Sequence, residues 1–365
     1  MKITRIESIV VSMPMLIEGD VLPKASGAPR TSMQTLFVRI DTDEGITGWG
    51  EGFGHRIYTA TKAALDGFIA PMLIGRDPTQ ISAIVDELQR NLGGVGRNGP
   101  ALYALSALDI ALWDIAGKIA NLPLYRLLGG SPRKDLPGYA SLLRYGDPKA
   151  VTHYMERALK RGYRHFKLHE VEYAPIKAGR DAAGPGVPIM VDCNCPWTVD
   201  EAIRRARLFA PLELTWLEEP IWPPEDHKGL ARVRELGGIP TAAGENAMLP
   251  EFKSMFEAGA LSYAQPSVTK VGGVTMMRRV MALADAHGVT VVPHSAYFGP
   301  GLLASMHCIA AMPRESVVER YDADFAVNPY HDAIHPNANG RFALPQGPGL
   351  GVEPDLEVIA KLRVA

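Results

Sequence analysis

The chain contains few cysteines. Its 365 residues include only Cys193, Cys195 and Cys308, which are too few and too unevenly placed for a disulfide framework. Cys193 and Cys195 also lack the second pair of ligands that a zinc site of this spacing needs. The sequence therefore predicts a protein of a reducing compartment, the cytoplasm.

A strong excess of charge and long apolar runs are also missing. Lys and Arg number 38 against 40 Asp and Glu, which gives a formal net charge of −2 and no basic surface that would follow a phosphate backbone. No apolar run reaches the roughly 18 residues of a membrane span. The first residues alternate apolar and polar side chains without the apolar core of a signal peptide. We therefore expect neither nucleic acid nor a membrane as a partner.

What the chain does have is enough length for one large domain and a smaller one. Residues 1–128 begin with strand-like segments, and the turn at residues 43–45 (Asp-Glu-Gly) predicts a β-hairpin. Leucines at helical spacing predict a helix over residues 101–120. Asp109 and Asp114 in this helix are expected to be solvated or capping charges.

From about residue 129, short apolar strands alternate with amphipathic helices. This alternation is typical of parallel βα units. Eight such units close naturally into a barrel, so we predict an α/β fold with a (β/α)7–8 barrel of the TIM type. The predicted strand segments are LPGYASL, HFKLHE, PIMVDCN, LTWLEEP, IPTAAGEN, SYAQPSV, VTVVPHS and VVERYD.

Polar residues capable of catalysis lie where these predicted strands end. From Lys167 to Glu319 they recur about every 22 to 27 residues, close to the length of one βα unit in a barrel of about 250 residues. The carboxyl ends of barrel strands share one rim, and the active site of such a barrel is built there. The residues placed on this rim are Lys167, His169, Asp192, Glu218, Glu219, Glu245, Ser267, Lys270, His294 and Glu319.

Three of the strand-end residues in a row are carboxylates: Asp192, Glu218 and Glu245. Converging carboxylates repel one another and raise one another's pKa values unless a cation lies between them. Oxygen ligands without His or Cys favour Mg²⁺, or alternatively Mn²⁺, over zinc. Asn194 follows Asp192 by two residues and is expected to support this ligand by hydrogen bonding.

Basic residues are predicted on two sides of the metal. Lys167 and His169 are two residues apart on one strand and point to the same face, where they would stabilise negative charge and move protons. His294 is expected on the opposite wall as a second acid or base. Glu319 is expected to pair with a cation or to bind a substrate oxygen. The set predicts removal of the proton alpha to a carboxylate through an enediolate that the metal stabilises.

At these residues the sequence resembles the mandelate racemase and muconate lactonizing branch of the enolase superfamily, whose bases and Mg²⁺ support enediolate chemistry. The resemblance extends over nearly the whole chain. It rests on the segments GITGWGE ending at Glu51, ALDIALWDIAGK, LPLYRLLGG at residues 122–130, MVDCN, LEEP, GEN, KVGG, PHS and VVER.

The resemblance implies an α+β capping domain in residues 1–128, a barrel in residues 129–345 and a C-terminal segment, residues 346–365, that packs on the capping domain. The loops Gly19–Arg30 and Glu51–Tyr58 would close over the barrel mouth and exclude water. It also implies a homo-oligomer.

By the same resemblance, Asp192, Glu218 and Glu245 match the metal ligands. Glu219 matches a neighbour that is usually not a ligand, and Lys167 matches the first lysine of a Lys-x-Lys pair.

The chain departs from the family pattern at two positions. His169 stands where the second lysine is common, and Ser267 stands where an aspartate usually orients the histidine at position 294. Without that carboxylate, His294 should be less basic, which disfavours a symmetric two-base racemase. The segment between residues 169 and 192 also looks too short for a full helix.

We therefore favour a sugar-acid dehydratase that acts on a small-molecule carboxylate and yields a 2-keto-3-deoxy acid. His169 or Lys167 would serve as base or acid, and His294 would take the other role. The alternatives are a racemase, an epimerase or a cycloisomerase of a hydroxy acid or lactone. An alternative of another class is a non-catalytic barrel that binds a metal or a carboxylate. Expected substrate contacts or supporting residues are Tyr139, Arg144, His55, Tyr297, Asn194, Ser267, Lys270 and Glu319.

Overall fold

The structure is a computed structural model that describes residues 1–16 and 31–364, together with the backbone of residues 24–25 and 28–29. Most of the predicted loop Gly19–Arg30 therefore lies outside the described residues. No described helix combines the length and the apolar character that a bilayer crossing demands.

Strands and helices fall into an N-terminal β-rich part and a long alternating part. The strands are β1 (Ile3–Leu16), β2 (Lys24–Ala25), β3 (Ala28–Pro29), β4 (Ser32–Thr42), β5 (Thr47–Gly52), β6 (Asp135–Ser141), β7 (Phe166–Leu168), β8 (Ile189–Asp192), β9 (Trp216–Glu218), β10 (Thr241–Ala243), β11 (Tyr263–Ala264), β12 (Thr290–Val291), β13 (Val318–Tyr321), β14 (Asp324–Phe325) and β15 (Arg341–Ala343). The α-helices are α1 (Tyr58–Ala64), α2 (Ile81–Leu92), α3 (Pro100–Ala120), α4 (Leu124–Leu127), α5 (Pro148–Lys160), α6 (Tyr173–Ala183), α7 (Val199–Phe209), α8 (His227–Gly237), α9 (Leu249–Glu257), α10 (Gly273–Ala286), α11 (Pro300–Ala310) and α12 (Leu356–Leu362).

The N-terminal sheet is antiparallel in the order β14-β1-β4-β5. The predicted hairpin joins β4 and β5, and Gly45 in its turn has φ +78°, a left-handed conformation that glycine adopts without strain. Helix α3 covers the sheet so closely that a Cβ on Gly50 would lie 1.9 Å from the carbonyl oxygen of Ala107. Because they lack a side chain, the glycines of the GITGWGE segment therefore allow the sheet and the helix to pack closely.

Eight parallel strands form the second part, in the order β12-β11-β10-β9-β8-β7-β6-β13. Each of the eight predicted strand segments overlaps one of these strands, and the fold is the predicted TIM-type barrel. Between β12 and β13, Ser316 Oγ donates to the Val291 carbonyl at 3.0 Å and Ser295 Oγ donates to the Glu319 carbonyl at 3.1 Å. The barrel interior is filled by Tyr139, Met190, Trp216, Ala242 and Val292.

The expectation that residues 169 to 192 leave no room for a full helix is wrong. Helix α6 has 11 residues, as many as α7 and α8. Its buried face is narrow and includes Ile176 and Gly179. A Cβ on Gly179 would lie 2.7 Å from a methyl group of Leu168, so this glycine lets a short connection pack directly on β7.

Asp109 and Asp114 are buried. Of the two expected roles, solvated charge or capping charge, the first is therefore wrong. Asp109 is 1% exposed and accepts hydrogen bonds from the backbone nitrogen of Thr275, at 3.0 Å, and from its hydroxyl. It therefore caps the first turn of barrel helix α10. Asp114 accepts from the backbone nitrogens of Trp49 at 2.9 Å and Leu350 at 2.7 Å, which ties α3 to the sheet and to the C-terminal segment.

The C-terminal segment returns to the N-terminal sheet. The backbone nitrogen of Val364 donates to the carbonyl of Val10 at 2.8 Å, and Ile359 and Leu362 of α12 are buried. The segment therefore packs on the N-terminal part, where the sequence placed it.

Two replacements of Asp109 should separate the contribution of its hydrogen bonds to stability from the contribution of its charge. Asp109→Ala is expected to lower the free energy of unfolding by about 1–3 kcal/mol, because buried donors of Thr275 lose their acceptor. Asp109→Asn has the same size and keeps an acceptor, so its loss should be smaller. Denaturant unfolding of both variants measures the difference, and equal losses would contradict the capping role.

The same pair of variants tests a pH effect. Burial raises the pKa of Asp109 from 3.8 to about 7, so the folded protein keeps a proton that the unfolded chain releases. The stability from this carboxyl is present below its unfolded pKa and is lost as the pH rises through about 7. The Asn variant should lose less stability over this pH range than the parent.

Candidate active site

Three carboxylates meet at the carboxyl ends of neighbouring strands. Asp192 ends β8, Glu218 ends β9 as its register partner, and Glu245 follows β10 by two residues. One oxygen from each lies within 4.8 Å of the others. The structure thus brings together the three residues that the sequence predicted as metal ligands, and they share one small volume.

Asp192 and its supporting asparagine lie as expected. Asn194 donates to Asp192 Oδ1 from its backbone nitrogen at 3.0 Å and from its side chain at 2.9 Å. Burial alone would raise the pKa of Asp192, but the charge of Lys167 and a hydrogen bond from His169 outweigh it and hold that pKa well below its ordinary value. Asp192 is therefore an anion in this site.

Glu218 and Glu245 have opposite electrostatic surroundings. Burial, with the charge of Asp192, raises the pKa of Glu218 to about 8. Burial also acts on Glu245, but Lys270 and His294 outweigh it and lower that pKa to about 2. A divalent cation beside these carboxylates would favour the ionised form of Glu218, which burial and Asp192 disfavour.

Lys167 is completely buried among carboxylates. Its Nζ lies 2.7 Å from Glu319 Oε1, 2.9 Å from Glu218 Oε1 and 3.5 Å from Asp192 Oδ2. Burial opposes its charge, but these carboxylates hold its pKa well above the ordinary value. Lys167 is therefore a fixed positive charge beneath the carboxylates.

His169 lies at the rim of the same wall. Its side chain is 15% exposed, its Nε2 is 3.2 Å from Asp192 Oδ2, and its Nδ1 is 2.6 Å from the carbonyl oxygen of Leu142. Burial alone would lower the pKa of His169, but the hydrogen bond and charge of Asp192 raise it. The imidazole thus presents its Nε2 to the carboxylate cluster.

His294 faces the cluster from another wall. Its Nε2 lies 3.1 Å from Glu245 Oε2, and its Nδ1 lies 3.1 Å from the hydroxyl of Tyr297. That hydroxyl is in turn hydrogen-bonded to Ser267. Burial lowers the pKa of His294, in agreement with the expectation of a less basic ring. The two imidazoles lie on walls that are five strands apart along the sheet.

Lys270 connects the cluster to the N-terminal part. Its Nζ donates to Glu245 Oε1 at 2.9 Å and to Asn246 Oδ1 at 3.1 Å. The same ammonium lies 4.2 Å from the ring centre of Phe53, and Phe53 stacks at 4.6 Å on His55. Sequence reasoning missed Phe53, although it stands in the predicted loop Glu51–Tyr58.

Two predicted substrate contacts lie beneath the mouth instead of in it. Tyr139 is 0% and Tyr297 2% exposed. Tyr139 points into the barrel interior, with its ring centre 5.8 Å from Lys167 Nζ. The alternation of side chains along a strand predicts the face of the sheet on which a residue lies, but it does not predict how deep in the barrel the side chain lies. Both side chains are buried beside site residues, Tyr139 near Lys167 and Tyr297 against His294, and contact with substrate stays a prediction for both.

Sequence models of two families match the chain. One, described as the mandelate racemase / muconate lactonizing enzyme N-terminal domain, matches residues 22–129, and the other, described as enolase C-terminal domain-like, matches residues 150–358. The chain belongs to the mandelate racemase/muconate lactonizing enzyme family of the enolase superfamily.

Relatives within this family act on sugar acids. The chain is 34% identical over 340 residues to a 3,6-anhydro-alpha-L-galactonate cycloisomerase of Streptomyces coelicolor, covering 91% of this chain and 92% of the relative. It is 32% identical to a D-galactonate dehydratase of Variovorax paradoxus, covering 90% and 91%. A racemase structure from Streptomyces coelicolor with bound magnesium superposes with a TM-score of 0.85 at 30% identity, covering 99% and 100%.

Arg144 lies in the site, and its hydrogen bonds there could not be predicted from the sequence. We expected it to contact substrate, but its Nε donates to the carbonyl of His169 at 2.5 Å, and one terminal nitrogen donates to the Cys193 carbonyl at 3.1 Å and to Asn194 Oδ1 at 3.2 Å. The guanidinium thus joins the ends of three strands. It orients His169 directly and Asp192 through Asn194.

Arg144→Lys is expected to lower kcat roughly 10–100-fold, the loss that removing a supporting partner of metal ligands produces. A single ammonium cannot reproduce a planar fork that reaches three acceptors at the ends of two strands. The matched control is Arg164→Lys, because exposed Arg164 also donates to backbone carbonyls, but those of Leu159 and Tyr163. Equal kcat values for the two variants in a steady-state assay would contradict the proposed role.

Proposed function

We propose that this protein is a Mg²⁺-dependent enzyme that removes the proton alpha to the carboxylate of a sugar acid and then eliminates the oxygen on the beta carbon. The dehydration product would be a 2-keto-3-deoxy acid. The observation that carries the proposal is the cluster of Asp192, Glu218 and Glu245 between two imidazoles on separate walls.

The residues present fit a small, hard divalent cation. The three carboxylates of the cluster supply only oxygen atoms, which Mg²⁺ prefers, and one oxygen of each lies within 4.8 Å of the others. Asp192, Glu218 and Glu245 would hold the ion. When bound, Mg²⁺ supplies positive charge against the negative charge that develops on the substrate carboxylate.

The protein's own groups would handle the protons. His169 and His294 each direct Nε2 toward the cluster, so one would take the alpha proton and the other would serve the leaving oxygen. Lys167 is a poor choice of base because it is buried and paired with Glu319 and Glu218. We therefore propose that Lys167 supplies charge and that His169 replaces the lysine base.

A cycloisomerase is the second candidate. The relative from Streptomyces coelicolor is named a cycloisomerase of an anhydro sugar acid. Removal of the alpha proton can also expel a beta oxygen that belongs to a ring, and the ring opens without loss of water. Both candidates therefore need the same proton abstraction and differ in the leaving oxygen.

Mass spectrometry in D₂O separates the candidates. The protein with Mg²⁺ is incubated with hydroxy acids, sugar acids, their lactones and anhydro sugar acids, with a chelated sample as control. Loss of one water, with one deuterium gained when the enol becomes the keto acid, supports the dehydratase. Deuterium uptake with a new product of otherwise unchanged mass supports the cycloisomerase or an epimerase. Absence of any Mg²⁺-dependent change across the library would count against the proposal.

Assembly, location and domain limits are proposals of the same kind. We propose a homo-oligomer, as the family resemblance implies. The three cysteines are free thiols, which supports a cytoplasmic location. The domain limit at residue 128 is supported by the N-terminal family model, which ends at residue 129, and the limit at residue 345 is a proposal.

A further inference from the structure

The two oxygens of each carboxylate in the cluster have different partners. A carboxylate oxygen offers about two lone pairs, so an oxygen that accepts two N–H groups has none left for a cation. In Glu218, Oε2 accepts from the indole Nε1 of Trp216 at 2.9 Å and from Gln265 Nε2 at 2.7 Å. Among the described residues, its Oε1 accepts from Lys167 Nζ alone, at 2.9 Å. Glu218 can therefore offer Oε1 to a cation.

Asp192 and Glu245 have the same arrangement. Asp192 Oδ1 accepts two N–H groups of Asn194, from the backbone at 3.0 Å and from the side chain at 2.9 Å. Glu245 Oε1 accepts from Lys270 Nζ at 2.9 Å and from the side chain of Asn246 at 3.0 Å. In each carboxylate of the cluster, one oxygen is thus occupied by two donors.

The second oxygens of Asp192 and Glu245 contact the basic side chains of the site. Asp192 Oδ2 lies 3.2 Å from His169 Nε2 and 3.5 Å from Lys167 Nζ, and Glu245 Oε2 lies 3.1 Å from His294 Nε2. The two histidines act on the substrate in the proposed function. The oxygens left for a cation are therefore on the substrate side of the cluster.

The donor pairs share one composition. One donor of each pair is an indole, a backbone N–H or an ammonium, which can only donate, so these bonds do not depend on how an amide is oriented. The other donor is a side-chain amide, that of Gln265, Asn194 or Asn246. Trp216 and Gln265 are 3% and 1% exposed, so water does not compete for Glu218 Oε2.

We propose that these donor pairs restrict each carboxylate to one oxygen toward the cation and thereby select Mg²⁺ against Ca²⁺. Mg²⁺ takes about six oxygens, whereas Ca²⁺ takes roughly six to eight and often binds both oxygens of a carboxylate. Three single oxygens leave Ca²⁺ further from a complete shell. Trp216, Gln265 and Asn246 act through the ligands and are positioning residues. The inference rests on the metal site of the proposed function.

Calorimetry of Mg²⁺ and Ca²⁺ binding to the full chain tests this selection without any substrate. Gln265→Met keeps the length of the side chain but removes one donor, which gives Glu218 Oε2 a lone pair for the cation. We expect Mg²⁺ affinity to fall roughly 10–100-fold, the loss typical of removing a partner of a metal ligand, while Ca²⁺ affinity is retained or rises. A ratio of Mg²⁺ to Ca²⁺ affinity equal to that of the parent would overturn the proposal.

A matched control and a second variant accompany this test. Gln89→Met makes the same exchange in α2, where the side-chain nitrogen has no hydrogen-bond partner among the described residues, and it should keep the parent ratio. An equal fall in this control would count against a specific role of Gln265. Asn246→Ala removes a donor from Glu245 at an exposed position, so folding should be spared. The affinity ratio should fall here too, and an unchanged ratio in either folded site variant overturns the proposal.

The indole N–H of Trp216 reports which oxygen of Glu218 the cation uses. In ¹⁵N-labelled protein, its resonance is assigned by its loss in Trp216→Phe. Because the cation would use Oε1, the hydrogen bond from Trp216 to Oε2 should persist, and the indole proton should keep its downfield position at saturating Mg²⁺. Movement of this proton to the range of an unbonded indole would overturn the assignment of the oxygens.

The selection of the cation and the proposed function can fail separately. If the affinity ratio falls as expected but no sugar acid is turned over, the proposed function fails and the selection stands. If sugar acids are turned over while Gln265→Met and Asn246→Ala keep the parent ratio, only the selection fails. If the parent binds neither ion, both fail.

Discussion

Glu218→Gln should lower turnover by at least roughly 10²–10³-fold, the loss known for removing one group that stabilises developing negative charge. The amide removes a negative charge from the carboxylate cluster, and its NH2 group cannot accept, whereas both oxygens of Glu218 accept, from Lys167 Nζ at 2.9 Å and from Gln265 Nε2 at 2.7 Å. Mg²⁺ affinity, measured by calorimetry, should fall in parallel, because a neutral amide oxygen binds a hard cation less strongly than a carboxylate does.

The control for this variant is the neighbouring carboxyl. Glu219 stands next to Glu218 in the chain but has no oxygen in the cluster of three carboxylates, and its backbone is in the left-handed region, with φ +43°. Glu219→Gln should therefore keep Mg²⁺ binding close to that of the parent. Loss of Mg²⁺ binding in the Glu219 variant together with normal binding in the Glu218 variant would reverse the ligand assignment.

His169→Gln should abolish exchange of the alpha proton with D₂O, with a loss of roughly 10²–10⁴-fold, the usual contribution of a general base. Glutamine is similar in length but cannot take up a proton near neutral pH. Lys167 remains in this variant, but its contacts with Glu319 and Glu218 at 2.7 and 2.9 Å leave it protonated. The rate is measured as deuterium incorporation into recovered substrate.

The companion variant is His294→Asn. It should retain much of the alpha-proton exchange while product formation falls, because the group that assists the leaving oxygen is on a different wall from the base. If His169→Gln kept full exchange of the alpha proton and His294→Asn lost it, His294 would be the base and His169 would assist the leaving oxygen. Unchanged kinetics in both variants would remove both residues from the mechanism.

Much of the site could be predicted because residues spaced by one βα unit along the sequence lie on the same rim of a barrel. Asp192, Glu218 and Glu245 are far apart in the chain, yet each ends one βα unit, and parallel strands bring their carboxyl ends to one rim. Three oxygens within 4.8 Å of one another are the result. The two departures noted in the sequence, His169 and Ser267, both lie in this site, His169 at 3.2 Å from Asp192 and Ser267 against the hydroxyl of Tyr297.

Contacts between the N-terminal part and the barrel could not be predicted in this way. Phe53 lies 4.2 Å from Lys270, although more than half of the chain separates them. Asp109 was expected to be a solvated or capping charge, and only the fold shows that it is buried and caps α10 through Thr275. Neither periodicity nor composition carries information on which helix packs on which loop, since packing depends on the shapes of both surfaces.

The sequence by itself determined the barrel and the three carboxylates on the rim, because hydrophobic alternation and the length of a βα unit are local properties of the chain. The family was predicted from the resemblance of its motifs. Only the tertiary structure decided which neighbour each polar atom meets. Tyr139 lies in the interior, Arg144 spans three strand ends, and the hydroxyl of Tyr297 lies between His294 and Ser267. Hydrogen bonds depend on distances of a few tenths of an ångström and on direction, and these are set only when distant segments pack together.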